Sequence, residues 1–329
     1  MQTTAILGVA HIHTPGFIAM INNRADVCVK AVYDLQSERG QRRATELQSV
    51  FTSDLDAILN DAEITSVVIC SETVYHRELV TRAAAAGKHL FVEKPLAVSA
   101  EDADAMQAAI EDAGVLFQTG FFMRSSPQSQ FLKREVAAGN LGTITRMRHT
   151  NCHEGALAGW FDDEWNWTAD KKLAGGGGFA DLGAHSLDII LWTLRGVCGE
   201  VKSAVASLGT ATKRHGDIDE YGSGIITFES GAIAAMEASW VDPKLRSPIE
   251  VHGTHGEIII EGEKVRYYSE KVAGADGGEW TDLPPAAPHA FELFWDKLEG
   301  KAIGVDLISA EEAAEGSRVM AAMYQSAGQ

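Results

Sequence analysis

The sequence predicts a two-domain α/β protein. An N-terminal domain is built on a parallel, doubly wound sheet, and a C-terminal α+β domain on a large, open, mainly antiparallel sheet. Three observations carry this expectation. The first third alternates short apolar runs with helical patterns across short connections, as βαβ units do. From about Met123 the pattern changes to successive strand-like runs joined by tight turns. A chain of 329 residues also exceeds the usual size of one hydrophobic core. The expected domains are residues 1–122 and 123–329.

In the first domain, strands are expected at Ala5–Val9, Val27–Tyr33, Ser66–Cys70, His89–Val92 and Val115–Thr119. Helices fall at about Gly16–Asn22, Glu38–Gln48, Tyr75–Gly87 and Ala100–Ala113. Gly87 and Gly114 stand where helices stop, and Ser99 where one is capped. In the second domain the strand-like runs are Thr143–Thr150, Val201–Leu208, Ser223–Phe228, Ala232–Trp240, Ile249–His252 and Glu257–Ile260. Glu229–Ala232 and Thr254–Gly256 read as hairpin turns. Helical patterns return at Ala290–Glu299 and Ala310–Ala327.

Composition narrows the functional classes. A formal charge of −18, from 28 basic and 46 acidic residues, argues against a nucleic-acid or membrane partner. It leaves room for an anionic cofactor held by backbone amides. No run reaches the 18 or more apolar residues of a membrane span, and no secretion signal is visible. The four cysteines, Cys28, Cys70, Cys152 and Cys198, are widely spaced. They are expected as reduced, packed thiols of a cytoplasmic protein.

Gly8-Val9-Ala10-His11-Ile12-His13 occupies the place of the dinucleotide fingerprint between the first strand and helix. Only its first glycine is retained; Ala10 still lets the backbone approach a pyrophosphate. Thr14-Pro15 offers an N-cap and a first-turn proline, which would aim a helix N-terminus at phosphate. Asp34 closes the second strand, where a carboxylate accepts hydrogen bonds from the adenosine ribose and repels a 2′-phosphate. It also fits as the first residue of a turn. The pattern favours NAD over NADP. His11-x-His13 invites a metal reading, but without a third ligand of clear spacing no metal is expected.

Lys94 ends the run His89-Leu90-Phe91-Val92-Glu93-Lys94-Pro95, at the edge of a buried strand where ligands of open α/β sheets sit. Further on, Gly175–Gly178 precedes Asp181, His185 and Asp188, one polar stripe if the segment is helical. The glycine run would admit close approach of a nicotinamide and its substrate.

The fingerprint, Glu93-Lys94-Pro95, Gly176-Gly177-Gly178 with Asp181-x-x-x-His185, and the closing Tyr324-Gln325-Ser326-Ala327 together resemble the glucose/fructose oxidoreductase, inositol dehydrogenase and MocA family (Gfo/Idh/MocA). The resemblance spans essentially the whole chain. It implies a Rossmann domain, a nicotinamide cofactor, sugar, cyclitol or polyol substrates, and a homodimer or homotetramer formed through the C-terminal sheet. By the same resemblance Lys94, Asp181 and His185 occupy catalytic positions. An imidazole suits removal of a hydroxyl proton near neutral pH, so His185 is the expected base. Asp181 would orient it or the substrate, and Lys94 would steady the negative charge developing on oxygen.

Cofactor contacts are expected from Gly8, Ala10, His11, Ile12, Asp34, Ser71, Glu72, His76, Glu93 and Lys94, with Glu93 bracing the ribose or the strand end and His76 structural. The sequence departs from the family at His13 and at Ser71-Glu72-Thr73, both on cofactor loops. Arg124, His153 and Trp165 are expected substrate contacts, beside Lys94, Asp181 and His185. Trp160, Phe161 and Trp167 crowd the same loop, where aromatic faces either stack on a sugar ring or pack beneath the loop. The expected activity is an NAD(P)-dependent dehydrogenase or reductase of CH–OH groups. One rival is a hydrolase, lyase or epimerase working by transient oxidation with tightly held NAD. Another is a non-catalytic dinucleotide-binding regulator.

Overall fold

The computed structural model describes residues 1–329, which form two compact units, each discontinuous in sequence. The first comprises Met1–Gly120, Asp162–Gly175 and Pro288–Ser317; the second comprises Phe121–Phe161, Gly176–Ala287 and Arg318–Gln329. The chain therefore changes unit beside the expected boundary at residue 122, then returns twice to the first unit. The apolar face of a late helix explains one return.

The first unit runs β1 (Gln2–Val9), α1 (Thr14–Asn22), β2 (Val27–Tyr33), α2 (Ser37–Glu46), β3 (Val50–Thr52), α3 (Leu55–Leu59), β4 (Ser66–Cys70), α4 (His76–Ala85), β5 (His89–Val92), α5 (Ala100–Ala113) and β6 (Phe117–Thr119). The six strands are parallel in the order β3-β2-β1-β4-β5-β6. Buried on both faces, β4 and β5 read as unbroken apolar runs, as central parallel strands do. The Ser99 hydroxyl caps α5 by accepting from the Asp102 amide at 3.1 Å, and Gly114 ends it at φ +61°. β3 and α3 are not expected from the sequence; three and five residues are too few to show a period.

Next in chain order come α6 (Pro127–Ala137), β7 (Ile144–Cys152), α7 (Lys171–Ala174), α8 (Gly178–Cys198), β8 (Val201–Gly209), β9 (Tyr221–Phe228), β10 (Ile233–Ser239), β11 (Ile249–Gly253), β12 (Gly256–Glu261), β13 (Lys264–Ser269) and β14 (Asp276–Glu279). The eight strands of the second unit form one sheet in the order β14-β13-β12-β11-β7-β10-β9-β8. It is antiparallel except where β10 lies parallel to β7. α8 packs on one face: a Cβ added at Gly183 would meet Met236 and Ala238 of β10. The opposite face leaves Val205, Tyr221, Ile225 and Ile233 exposed.

The last helices are α9 (Ala290–Leu298) and α10 (Ala310–Ser326). α9 buries Phe291, Phe294 and Trp295 among Ile6, Phe17, Val32 and Phe91 of the first unit, Phe17 and Phe291 stacking at 4.3 Å. Arg24 ties the helix down through Glu292 and Asp296. All four cysteines are free, but Cys28 is exposed rather than packed, because β2 alternates and turns Cys28 outward between buried Val27 and Val29. No helix is long and apolar enough to cross a membrane.

Candidate active site

In the first unit the expected cofactor residues Gly8, Ala10, His11, Asp34, Ser71, Glu72, Glu93 and Lys94 all stand at the carboxyl ends of parallel strands. Gly8 has φ +79°, and a Cβ there would lie 2.4 Å from Cβ of Ser71, so only glycine fits. The chain then turns tightly: the His11 amide donates to Cys70 O and the Thr14 amide to His11 O. Thr14 is the first residue of α1 and His13 takes the cap position with no side-chain cap bond, against the expectation of a Thr14 cap. The turn closes one residue early because the Thr14 amide already bonds back to His11. Trp167 Nε1 donates to Ala10 O at 2.9 Å, which makes this tryptophan a support of the loop rather than a sugar platform.

Asp34 is buried and fully engaged. Its oxygens accept from the amides of Val9 (2.8 Å) and Gln36 (2.7 Å), as the residue that opens the turn after β2. Arg39 donates to both oxygens and, through Nη2, to Glu72 at 2.9 Å. Burial opposes the charge on Arg39, but hydrogen bonds to Asp34 outweigh it and raise the pKa of the guanidinium. A pocket beside them is lined by Gly8, Tyr33, Asp34, Ser71, Glu72 and Glu78. Sequence reasoning missed Arg39, although an arginine in the first turns of the helix after Asp34 is a readable signal.

Glu93 has no exposed surface. Its Oε2 accepts from the Lys94 amide at 2.8 Å, and its Oε1 lies 3.1 Å from Nδ1 of His13. Burial would raise its pKa; the facing imidazoles of His11 and His13 and the Lys94 side chain prevail and hold the carboxyl below its usual range. Lys94 is buried, directly after β5, and its peptide bond to Pro95 is cis. His76 contacts Leu96 O through Nδ1 at 3.0 Å and its burial lowers its pKa, in keeping with a structural role.

In the second unit α8 carries Asp181, His185 and Asp188 on successive turns. Asp181 accepts from Trp240 Nε1 at 2.9 Å, and the buried His185 ring lies edge-on to Phe121 and Phe122, 5.9 and 5.0 Å away. The glycine run serves the chain itself. A Cβ at Gly177 would fall 1.9 Å from Asp219 O, and one at Gly178 2.3 Å from Glu220 O. Close approach here is to the chain's own backbone at the start of α8, where Asp219 accepts from the amides of Gly177 and Phe179.

Arg124 is a bidentate partner of Asp188, at 2.6 and 3.0 Å, and stacks over Trp192, so it is neither solvated nor bare. His153 accepts the Gly155 amide through Nδ1 and lies 4.8 Å from the exposed ring of Trp160. Phe161 is buried against Trp240. Trp165, in the first unit, is half-buried at the start of a single helical turn before Trp167. The Trp240 bond to Asp181 is not foreseeable from the sequence; nothing in 59 residues of separation signals it.

A six-stranded parallel sheet in 3-2-1-4-5-6 order with a positive-φ glycine at the first strand end defines a dinucleotide-binding enzyme of the Rossmann class. Residues 3–121 match an oxidoreductase family with an NAD-binding Rossmann fold, and residues 129–259 match the GFO/IDH/MocA C-terminal domain. The chain belongs to the Gfo/Idh/MocA family and is an NAD-dependent oxidoreductase. Among its relatives, scyllo-inositol 2-dehydrogenase (NAD(+)) of Bacillus subtilis (strain 168) is 28% identical over 303 residues, 90% of this chain and 83% of the relative. The 2,7-anhydro-N-acetylneuraminate hydratase of Escherichia coli (strain K12) is 29% identical over 247 residues, 74% of this chain and 63% of that protein. In fold, the chain is similar to GenD2 from gentamicin A biosynthesis in complex with NAD, with a TM-score of 0.81 and 24% identity, covering 100% of this chain and 94% of the other.

Proposed function

We propose that the protein interconverts a secondary hydroxyl and its ketone on a sugar, cyclitol or related polyhydroxy compound, with NAD as the hydride carrier. The observation that carries this reading is the pair on α8: a carboxylate fixed by an indole N–H, followed one turn later by a buried imidazole. His185 would take the hydroxyl proton, and a nicotinamide held in the first unit would supply the hydride acceptor. Asp181 sets the orientation of the imidazole or substrate, and Lys94 donates to the reacting oxygen as negative charge builds on it. Arg124, His153 and Trp165 contact substrate in this reading, the first through a guanidinium already aligned by Asp188.

The residues present fit NAD. Gly8, Ser71 and Glu72 line the pocket beside Asp34, and Ala10, His11 and Ile12 lead from it into the start of α1, where the helix N-terminus suits a pyrophosphate, with His76 at the start of α4. Asp34, Glu72 and Glu78 line the pocket beyond β2 with carboxylates, which disfavour a 2′-phosphate. The exposed aliphatic face of the eight-stranded sheet supports self-association as a homodimer or homotetramer, and the unbridged thiols accord with a cytoplasmic location.

The test is a spectrophotometric screen of sugars and polyols with NAD and NADP, followed by Lys94→Ala and His185→Ala. Each variant is expected to lose about 10²–10⁴ in kcat while still binding NAD. Full turnover in both variants would overturn the roles of Lys94 and His185. A second reading, transient oxidation with NAD regenerated in every cycle, is favoured by the hydratase relative. It is distinguished by turnover on catalytic NAD without NADH accumulating.

A further inference from the structure

We propose that His11, His13 and Glu93 form a three-ligand site for a divalent transition-metal ion of the zinc class. The two oxygens of Glu93 face the two imidazoles: Oε1 is 3.1 Å from Nδ1 of His13, and Oε2 is 3.7 Å from Nε2 of His11. One ligand atom from each residue lies within 4.8 Å of the other two. A tetrahedral ion with bonds of about 2.0–2.2 Å holds its ligand atoms roughly 3.4 Å apart, inside the range that these three residues span. Two imidazoles and one carboxylate with a position left open is a donor set that binds zinc and its neighbours, whereas magnesium and calcium prefer oxygen alone.

The surroundings are built for such a cluster. Gly120 gives the carboxylate its room, since a Cβ there would lie 2.8 Å from each Glu93 oxygen. The Lys94 amide fixes Oε2, and Trp167, bonded to Ala10 O and 6.1 Å from the His11 ring, steadies the histidine loop from behind. His13, one-third exposed in its side chain, provides a path in from solvent. Lys94 and His289 also face Glu93 electrostatically; burial favours neutral His289, which leaves the Lys94 ammonium as the main opposing charge.

Capture has a defined proton chemistry. His11 Nδ1 now accepts the His13 amide at 3.2 Å, so its proton rests on Nε2, facing Glu93. An ion on Nε2 requires the proton on Nδ1 instead, and this long hydrogen bond is exchanged for a metal–nitrogen bond. His13 Nδ1, which donates to the Glu93 carboxylate at 3.1 Å, likewise gives up its proton to bind the ion.

The site stands whether or not the proposed reaction is correct, and its test reads metal directly. The full-length protein, stripped with chelator, is titrated with zinc chloride by calorimetry and with cobalt(II) by visible absorption. One ion per chain and a four-coordinate cobalt spectrum are expected, with affinity lowered by more than the roughly 10–100-fold typical of outer-shell changes in His13→Ala and Glu93→Gln, which remove ligands. His255→Ala, which removes an exposed imidazole paired with Glu270, is expected to leave binding unchanged. Circular dichroism and thermal unfolding of His13→Ala, at a partly exposed position, verify that it folds. NAD binding by the metal-free wild type is measured separately, so loss of the metal site is distinguishable from failure of the cofactor reading. Absence of stoichiometric binding, or equal affinity in His13→Ala, overturns the proposal.

Discussion

Arg39 grips Asp34 with both arms of its fork, Nη2 at 2.9 Å from Oδ1 and Nε at 3.1 Å from Oδ2, and shares Nη2 with Glu72. An arginine near this position can accept a 2′-phosphate. Here two buried carboxylates already neutralise it. Releasing the guanidinium should therefore change cofactor choice: the double variant Asp34→Ser, Glu72→Gln is expected to raise the NADP to NAD ratio of kcat/KM at least about tenfold, or about 1.4 kcal/mol. Steady-state kinetics with both cofactors checks it, and an unchanged ratio would remove Arg39 and its partners from the specificity account.

Gly8 meets two constraints at once, a positive φ and contact with Ser71. Gly8→Ala is expected to cost about 1–3 kcal/mol of stability and to weaken NAD binding, because the strand end must shift to admit the methyl group. Chemical denaturation and a cofactor titration measure the two effects.

Trp240 positions Asp181 through one indole N–H. Trp240→Phe keeps most of the packing but removes that donor from a charged acceptor in a part-buried bond, a loss of about 1.5–3 kcal/mol. The expectation is a fall in kcat of about 10–100-fold with a displaced pH profile and little change in KM for NAD. A uniform loss of folded protein, with normal kcat in the remainder, would assign Trp240 to packing alone.

His149 lies wholly buried in β7, and burial pushes its pKa down from 6.5 to about 4. Between these values the unfolded chain binds a proton that the fold refuses. Stability should thus rise with pH from about 4 to 6.5 and plateau above, the group accounting for about 3 kcal/mol across that window. His149→Leu is expected to flatten this part of the curve, measured by denaturant midpoints at pH 5 and pH 7. An unaltered slope would place the pH dependence elsewhere.

Local pattern carried much of the fold. Ser66–Cys70 and His89–Val92 are legible because a buried parallel strand must be continuously apolar, Val27–Tyr33 because its inward side chains alternate with outward ones, and Ser99 and Gly114 because helix ends need a cap and a left-handed residue. Ser126-Pro127 at the start of α6 and the alternation of Val265, Tyr267 and Ser269 in β13 carry equally readable signals, although neither element figures among the expected ones. β14, made of Asp276-Gly277-Gly278-Glu279, has no apolar residue and exists only by pairing with β13.

The sequence by itself determined the alternation of strands and helices, the glycine at the end of β1, the lysine after β5 and the one-turn spacing of Asp181 and His185, since each is a property of neighbouring residues. Tertiary structure alone decided which distant groups meet: Arg39 between Asp34 and Glu72, Trp240 on Asp181, the glycine run against residues 219 and 220, and Glu93 beside two histidines 80 or more positions earlier. Hydrogen bonds and ion pairs act over about 3 Å, and nothing in local composition encodes which remote carboxylate or indole the folded backbone will bring within that reach.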